Sequence, residues 1–144
     1  MIVLDVNLLI YAYDTTCKEH KKARVWVEGV FSRNEPVGLP SQTLSAFLRI
    51  LTYPETLGER FTMDKVIAIV DAWLALPHVR TLVPGENHWE LFREMLAKGD
   101  VRGKLTSDAA LAALTVEYGG VLYTNDRDFA RFPGLRWVNP LLES

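Results

Sequence analysis

Short, largely β-branched apolar runs alternate with stretches of helical apolar spacing along the whole chain. Ile2, Val3 and Leu4 form the first such run, and others fall at residues 37–39, 79–83, 121–124 and 136–138. The Ile2–Leu4 run reads as a strand buried on both faces, and the others read as further short strands. Strands alternating with helices predict an α/β fold: a central, mostly parallel sheet of about four or five strands, flanked by helices on both faces.

The punctuation between these runs supports the same reading. Apolar positions Ala23, Trp26, Val27 and Val30 recur at helical spacing after a basic start with Lys18, Lys21, Lys22 and Arg24. That cluster suits a solvated face, with RNA contact as a second option. Ser41 is the expected N-cap of a helix carrying Leu44, Phe47, Leu48 and Leu51. The helix is expected to stop at Tyr53-Pro54. A loop over residues 54–61 contains Gly58, and Thr62 is placed to cap a helix over 63–76. Asn87 with Glu90 reads as a capping box for a helix ending at Gly99. Ser107 and Asp108 are expected to open the next helix, which Gly119-Gly120 stops.

At 144 residues, with 49% hydrophobic residues, the chain is long enough for one domain with a real core. It carries no apolar run of membrane-spanning length and no signal-peptide pattern. Cys17 is the lone cysteine, so no internal disulfide is expected, which fits a reducing cytoplasm. His20, His78 and His88 have no zinc-like spacing. A net charge of −2 argues against coating nucleic acid by bulk electrostatics, but leaves room for a nucleic-acid enzyme with a local basic rim.

The acids then take on meaning. Asp5 follows the first strand directly, and Asp126 and Asp128 follow the fourth. Carboxyl ends of parallel strands share one edge, where such sheets bind ligands. A helix leading into a parallel strand starts on that same side, so Asp108 joins the group. Each acid also has an ordinary explanation. Asp5 and Asn7 suit helix capping, Asp108 suits a helix dipole, and Asp126 and Asp128 suit a turn. Together, converging carboxylates repel one another and call for a cation. All-oxygen ligation favours Mg²⁺ or Mn²⁺ over zinc, and such an ion supports attack on a phosphodiester.

The segments LDVNLLIYAYD, LTSDAALAAL and YTNDRDFARFPGLRWVNP together resemble a PIN domain, more narrowly the toxin half of a VapBC toxin–antitoxin pair. The resemblance spans residues 1–144 as one PIN-like nuclease domain. It implies a metal-dependent endoribonuclease that cuts structured RNA, transfer or ribosomal, and so halts translation. It also implies a homodimer and a VapB-type antitoxin partner. Position by position, Asp5, Asp108 and Asp126 match metal-binding acids, and Asp128 matches a frequent additional acid. Asn7 and Thr124 match supporting positions.

One position departs from the family pattern. Ala46, in Ala46-Phe47-Leu48-Arg49, stands where a glutamate is usual. Asp128, Gln42 or Ser45 are the candidates to compensate. The departure keeps open a second reading, a PIN-like module that binds RNA or protein without cutting. A haloacid-dehalogenase-like phosphatase would want a second Asp at Asn7, and a receiver domain would want an Asp near Val83-Pro84. Arg102, Lys104, Arg127 and Arg131 are expected near the acids as RNA-phosphate contacts, with ordinary solubilising charge as the alternative.

Overall fold

The structure is a computed structural model that describes residues 1–54 and 61–142. Five strands form one sheet: β1 (Ile2–Leu4), β2 (Val37–Pro40), β3 (Val79–Leu82), β4 (Val121–Tyr123) and β5 (Trp137–Val138). Their order is β3-β2-β1-β4-β5, and every neighbouring pair is parallel. The helices are α1 (Val6–Tyr13), α2 (His20–Ser32), α3 (Ser41–Leu51), α4 (Met63–Leu74), α5 (His88–Lys98) and α6 (Leu105–Glu117). A 3-10 turn, Arg127–Arg131, follows β4.

β1 shows why the sheet needs cover on both sides. Ile2 and Leu4 enter a core with Val27, Phe47, Val66 and Trp73 from α2, α3 and α4. Val3, between them, enters the opposite core with Met95 of α5 and Leu111 and Leu114 of α6. Successive strand side chains point to opposite faces, so a central strand with two buried faces must be apolar throughout. α6 buries Ala109, Ala112 and Ala113 as well as its leucines. Its small residues suit a helix enclosed between the sheet and α5.

The strands fall where the sequence puts them, while the helix ends show differences. Ser41 is the first residue of α3, preceded by Pro40, and makes no cap bond. Asn87 forms no side-chain cap either, so the expected capping box is absent. Asp108 does not open α6; the helix starts at Leu105, putting Asp108 in its first turn. α4 ends at Leu74, two residues short of the expected stop. Thr62 does cap α4, its hydroxyl accepting from the Lys65 amide. The expected loop with Gly58 falls mainly on residues 55–60, outside the described residues.

Phe47 ties α3 to its neighbours. It is fully buried, with its ring centroid 4.8 Å from that of Trp73 and 5.8 Å from that of Tyr13. Phe47→Ala is expected to lower unfolding free energy by about 3–5 kcal/mol in urea denaturation. A loss under about 1 kcal/mol would show that this ring cluster is not a main support of the fold.

Candidate active site

The carboxyl ends of β1 and β4 are tied by the Asp5 amide, which donates to the Tyr123 carbonyl at 3.1 Å. This places the Asp5 side chain at the sheet edge and at the start of α1. One carboxylate oxygen accepts from the Val6 amide at 2.7 Å, so Asp5 is the N-cap of α1. The other accepts from the Thr124 hydroxyl at 2.7 Å and from Asn7 Nδ2 at 3.3 Å. The capping role and the place at the acidic edge belong to the same residue.

Thr124 is fully buried, and its hydroxyl is fully used. It donates to Asp5 and accepts from Asn7 Nδ2 at 3.1 Å and from the Asp126 amide at 3.0 Å. One hydroxyl thus sets Asp5 and Asp126 relative to each other. Asn7 completes the frame, its Oδ1 accepting from the Asn125 amide at 3.2 Å. Asp126 caps the 3-10 turn, accepting from the Asp128 amide at 2.9 Å.

Asp108 approaches from α6. Burial pushes its carboxyl up to about 6, and the charges of Asp126, Asp5 and Asp128 push in the same direction, with Arg131 opposing. Asp5 is also raised, first by burial; the Thr124 and Val6 bonds hold it down and Asp126 raises it. The charges of Asp126, Asp5 and Asp128 thus all reach Asp108. Among the described residues, no three His, Cys, Asp or Glu side chains stand as a ready-made chelate. None of the three histidines joins the acids. His20 and His78 meet the carbonyls of Tyr11 and Val30, and His88 lies 3.8 Å from Glu117.

A cleft of about 170 Å³ beside these acids is lined by Asp5, Asp108, Gln42, Ala46 and Arg49, among others. Ala46 does stand in the site, on the α3 face that also bears Gln42 and Arg49. Gln42 Nε2 donates to the Ser107 carbonyl at 3.2 Å, bracing α3 against the turn that carries Asp108. Ser45 is exposed and is not among the residues lining the cleft. Arg49 is a site residue that sequence reasoning did not single out. Its signal was available: it lies three residues after Ala46 and seven after Gln42, on the same helical face.

All four expected RNA-contacting cations, Arg102, Lys104, Arg127 and Arg131, are exposed. Arg131 is committed to the main chain: its Nη1 donates to the carbonyls of Gly99 at 3.0 Å and Asp100 at 3.3 Å. It clamps the loop between α5 and α6 to the turn after β4, and it tempers the charge around Asp108.

Residues 2–135 match the PIN domain family. The chain is 38% identical over 141 residues to the ribonuclease VapC43 of Mycobacterium tuberculosis, covering 98% of this chain and 96% of that protein. It is 36% identical to the ribonuclease VapC33 of the same organism, covering 99% and 100%. Among solved structures, the VapBC2 complex of Rickettsia felis bound to a promoter DNA fragment gives a TM-score of 0.70. Its identity is 16%, with 96% of this chain and 98% of that chain covered. The M. tuberculosis toxin VapC20, which cleaves the sarcin–ricin loop, gives 0.66 at 21% identity, covering 94% and 99%. A parallel sheet with acids at its carboxyl edge and a full-length match of this kind place the chain in the PIN-domain family, among its VapC ribonucleases.

Asp108 gives this site a pH dependence whose sign is fixed. Its ordinary value is 3.8 and its folded value about 6, so between these the folded chain holds a proton that the unfolded chain has lost. The stability from this group is present at acid pH and is lost as pH rises through about 6. Without divalent ions, Asp108→Asn is expected to melt above wild type at neutral pH, with the gap closing below pH 3.8. A variant that melts below wild type at neutral pH would contradict this reading of the site.

Proposed function

We propose that this protein is a Mg²⁺- or Mn²⁺-dependent endoribonuclease, the toxin of a toxin–antitoxin pair, that cuts structured RNA such as transfer or ribosomal RNA and so stops translation. The observation that carries the reading is the convergence of Asp5, Asp108 and Asp126, with Asp128 beside them, the other three acids each raising Asp108. Carboxylates held together against their own repulsion suit a divalent cation. A donor set made only of carboxylate oxygens suits Mg²⁺ or Mn²⁺ rather than zinc.

Asp5, Asp108 and Asp126 are the residues that would hold the ion. When bound, it supplies Lewis-acid stabilisation of the phosphodiester and an activated water. The remaining work belongs to the chain. Thr124 and Asn7 fix the Asp5 carboxylate, and the Thr124 bond opposes the effect of burial on it. Asp126, held by the Thr124 hydroxyl and the Asp128 amide, faces the same edge. Gln42 braces Asp108, and Arg49 offers a cation to phosphate at the mouth of the cleft. Asp128 is the acid best placed to compensate for Ala46, since its charge reaches Asp108.

The non-catalytic alternative is not favoured, because the relatives matched over nearly their full length are ribonucleases. A VapB-type antitoxin and a second copy of the chain are the protein partners this reading implies. Several structural neighbours were solved as toxin–antitoxin complexes. No helix among the described residues is long and apolar enough to cross a membrane, and the reading places the toxin in the cytoplasm with its RNA.

The test is cleavage of a broad RNA panel by purified protein with Mg²⁺, Mn²⁺ or EDTA. Cutting should require the metal and be abolished in Asp5→Asn. Thr124→Val, which removes a partner of the proposed ligand, should reduce it by about 10–100-fold. Cutting that persists in EDTA, or in Asp5→Asn, would overturn the assignment.

A further inference from the structure

The acid edge is flanked by a second cleft with the opposite charge balance. It is open, about 440 Å³, and lies between the start of α2 and the segment that follows β4. Among the described residues, Lys18, Lys22 and Arg127 line it together with one carboxylate, Glu19. Among the described residues, the cleft at Asp5 and Asp108 has Arg49 as its one lining cation. A polyanion reaching the acids therefore meets a net-negative cleft on one side and a net-positive one on the other.

The two clefts are joined by a continuous chain of hydrogen bonds. Asn7 bonds Asp5 and also accepts from the Asn125 amide. Asn125 Oδ1 in turn accepts from Asn139 Nδ2 at 2.9 Å. Asn139 Oδ1 accepts from the Leu141 amide at 3.0 Å, fixing the far wall of the positive cleft. Arg127, which also lines that cleft, directly follows Asp126 in sequence. At the cleft's lip Leu142 is 72% exposed, an apolar surface beside the cations.

We propose that the RNA strand next to the scissile phosphate lies in this positive cleft. Its phosphates lie against Lys18 and Arg127, and a ribose or base lies against Leu142. The proposal rests on the ribonuclease reading of the acid edge and adds where the substrate runs. RNA is the occupant the observations favour over an acidic protein segment, because the cleft wall and the acids share one hydrogen-bonded frame. A strand positioned at Asp126 also passes Arg127. With a net charge of −2, the chain has no general attraction for RNA, so affinity must come from local cations of this kind.

Binding is measured in an Asp5→Asn background, so that cleavage does not intervene. Lys18→Gln with Arg127→Gln is compared with a charge-matched control, Lys65→Gln with Arg93→Gln, at exposed positions on α4 and α5. The probe is a fluorescently labelled single-stranded RNA titrated over a range of salt. The cleft variant should bind about tenfold more weakly, and its salt slope should fall by about 0.7 for each phosphate no longer neutralised. The control should keep both affinity and slope. Equal weakening in the cleft variant and the control would overturn the proposal, as would an unchanged slope in the cleft variant. So would a cleft variant that no longer binds a poly-glutamate peptide yet binds RNA as before, which would assign the cleft to a protein. A wild type that binds RNA through the cleft yet cuts no RNA supports this placement and counts against the nuclease reading instead.

Discussion

The bond from the Thr124 hydroxyl to the Asp5 carboxylate is the contact on which the functional edge depends. Burial alone would drive Asp5 toward its neutral form. The Thr124 and Val6 donors oppose that, at 2.7 Å each. The same hydroxyl accepts from the Asp126 amide, so the end of β1 and the turn after β4 are set by one atom. Hydroxyls in buried networks are costly when partly satisfied and specific when fully satisfied. This one has all its bonding positions filled.

The rest of the fold serves to bring that edge together. Parallel pairing of β1 with β4 brings Asp5 beside Thr124, although they are distant in sequence. α6, enclosed against the sheet through its alanines and leucines, delivers Asp108 from the opposite face. The result is a site under its own electrostatic pressure, with Asp108 raised by three neighbouring acids and relieved in part by Arg131. Like-charge pressure of this kind favours binding of a cation, as the metal dependence proposed above requires.

Much of this was legible in the sequence because it rests on periodicity and position. The apolar run of β1, the helical spacing of α2 and α4, and the Asp residues that follow β1 and β4 are set by local rules. What was not legible depends on distant partners. Ser41 and Asn87 carry cap-forming side chains, yet the chain enters α3 directly from Pro40 and Asn87 makes no cap bond. Arg131 reads as a free basic residue until the fold sets it against the carbonyls of Gly99 and Asp100. Gln42 reads as a possible replacement for the missing glutamate, and the fold also uses its Nε2 to reach the Ser107 carbonyl, 65 positions away in sequence. Arg49 could have been found from its spacing to Ala46, since the two share a helix face.

On the proposed reading, the raised pKa of Asp108 marks a carboxylate held in place for a divalent cation. Carbon-13 NMR of the Asp108 carboxyl across a pH titration tests it most directly, with and without Mg²⁺ in an inert ionic background. The account predicts a midpoint of about 6 without Mg²⁺ and a midpoint at or below the ordinary value of 3.8 with it. A midpoint that saturating Mg²⁺ leaves in place would show that Asp108 takes no part in binding a cation, and would contradict the account.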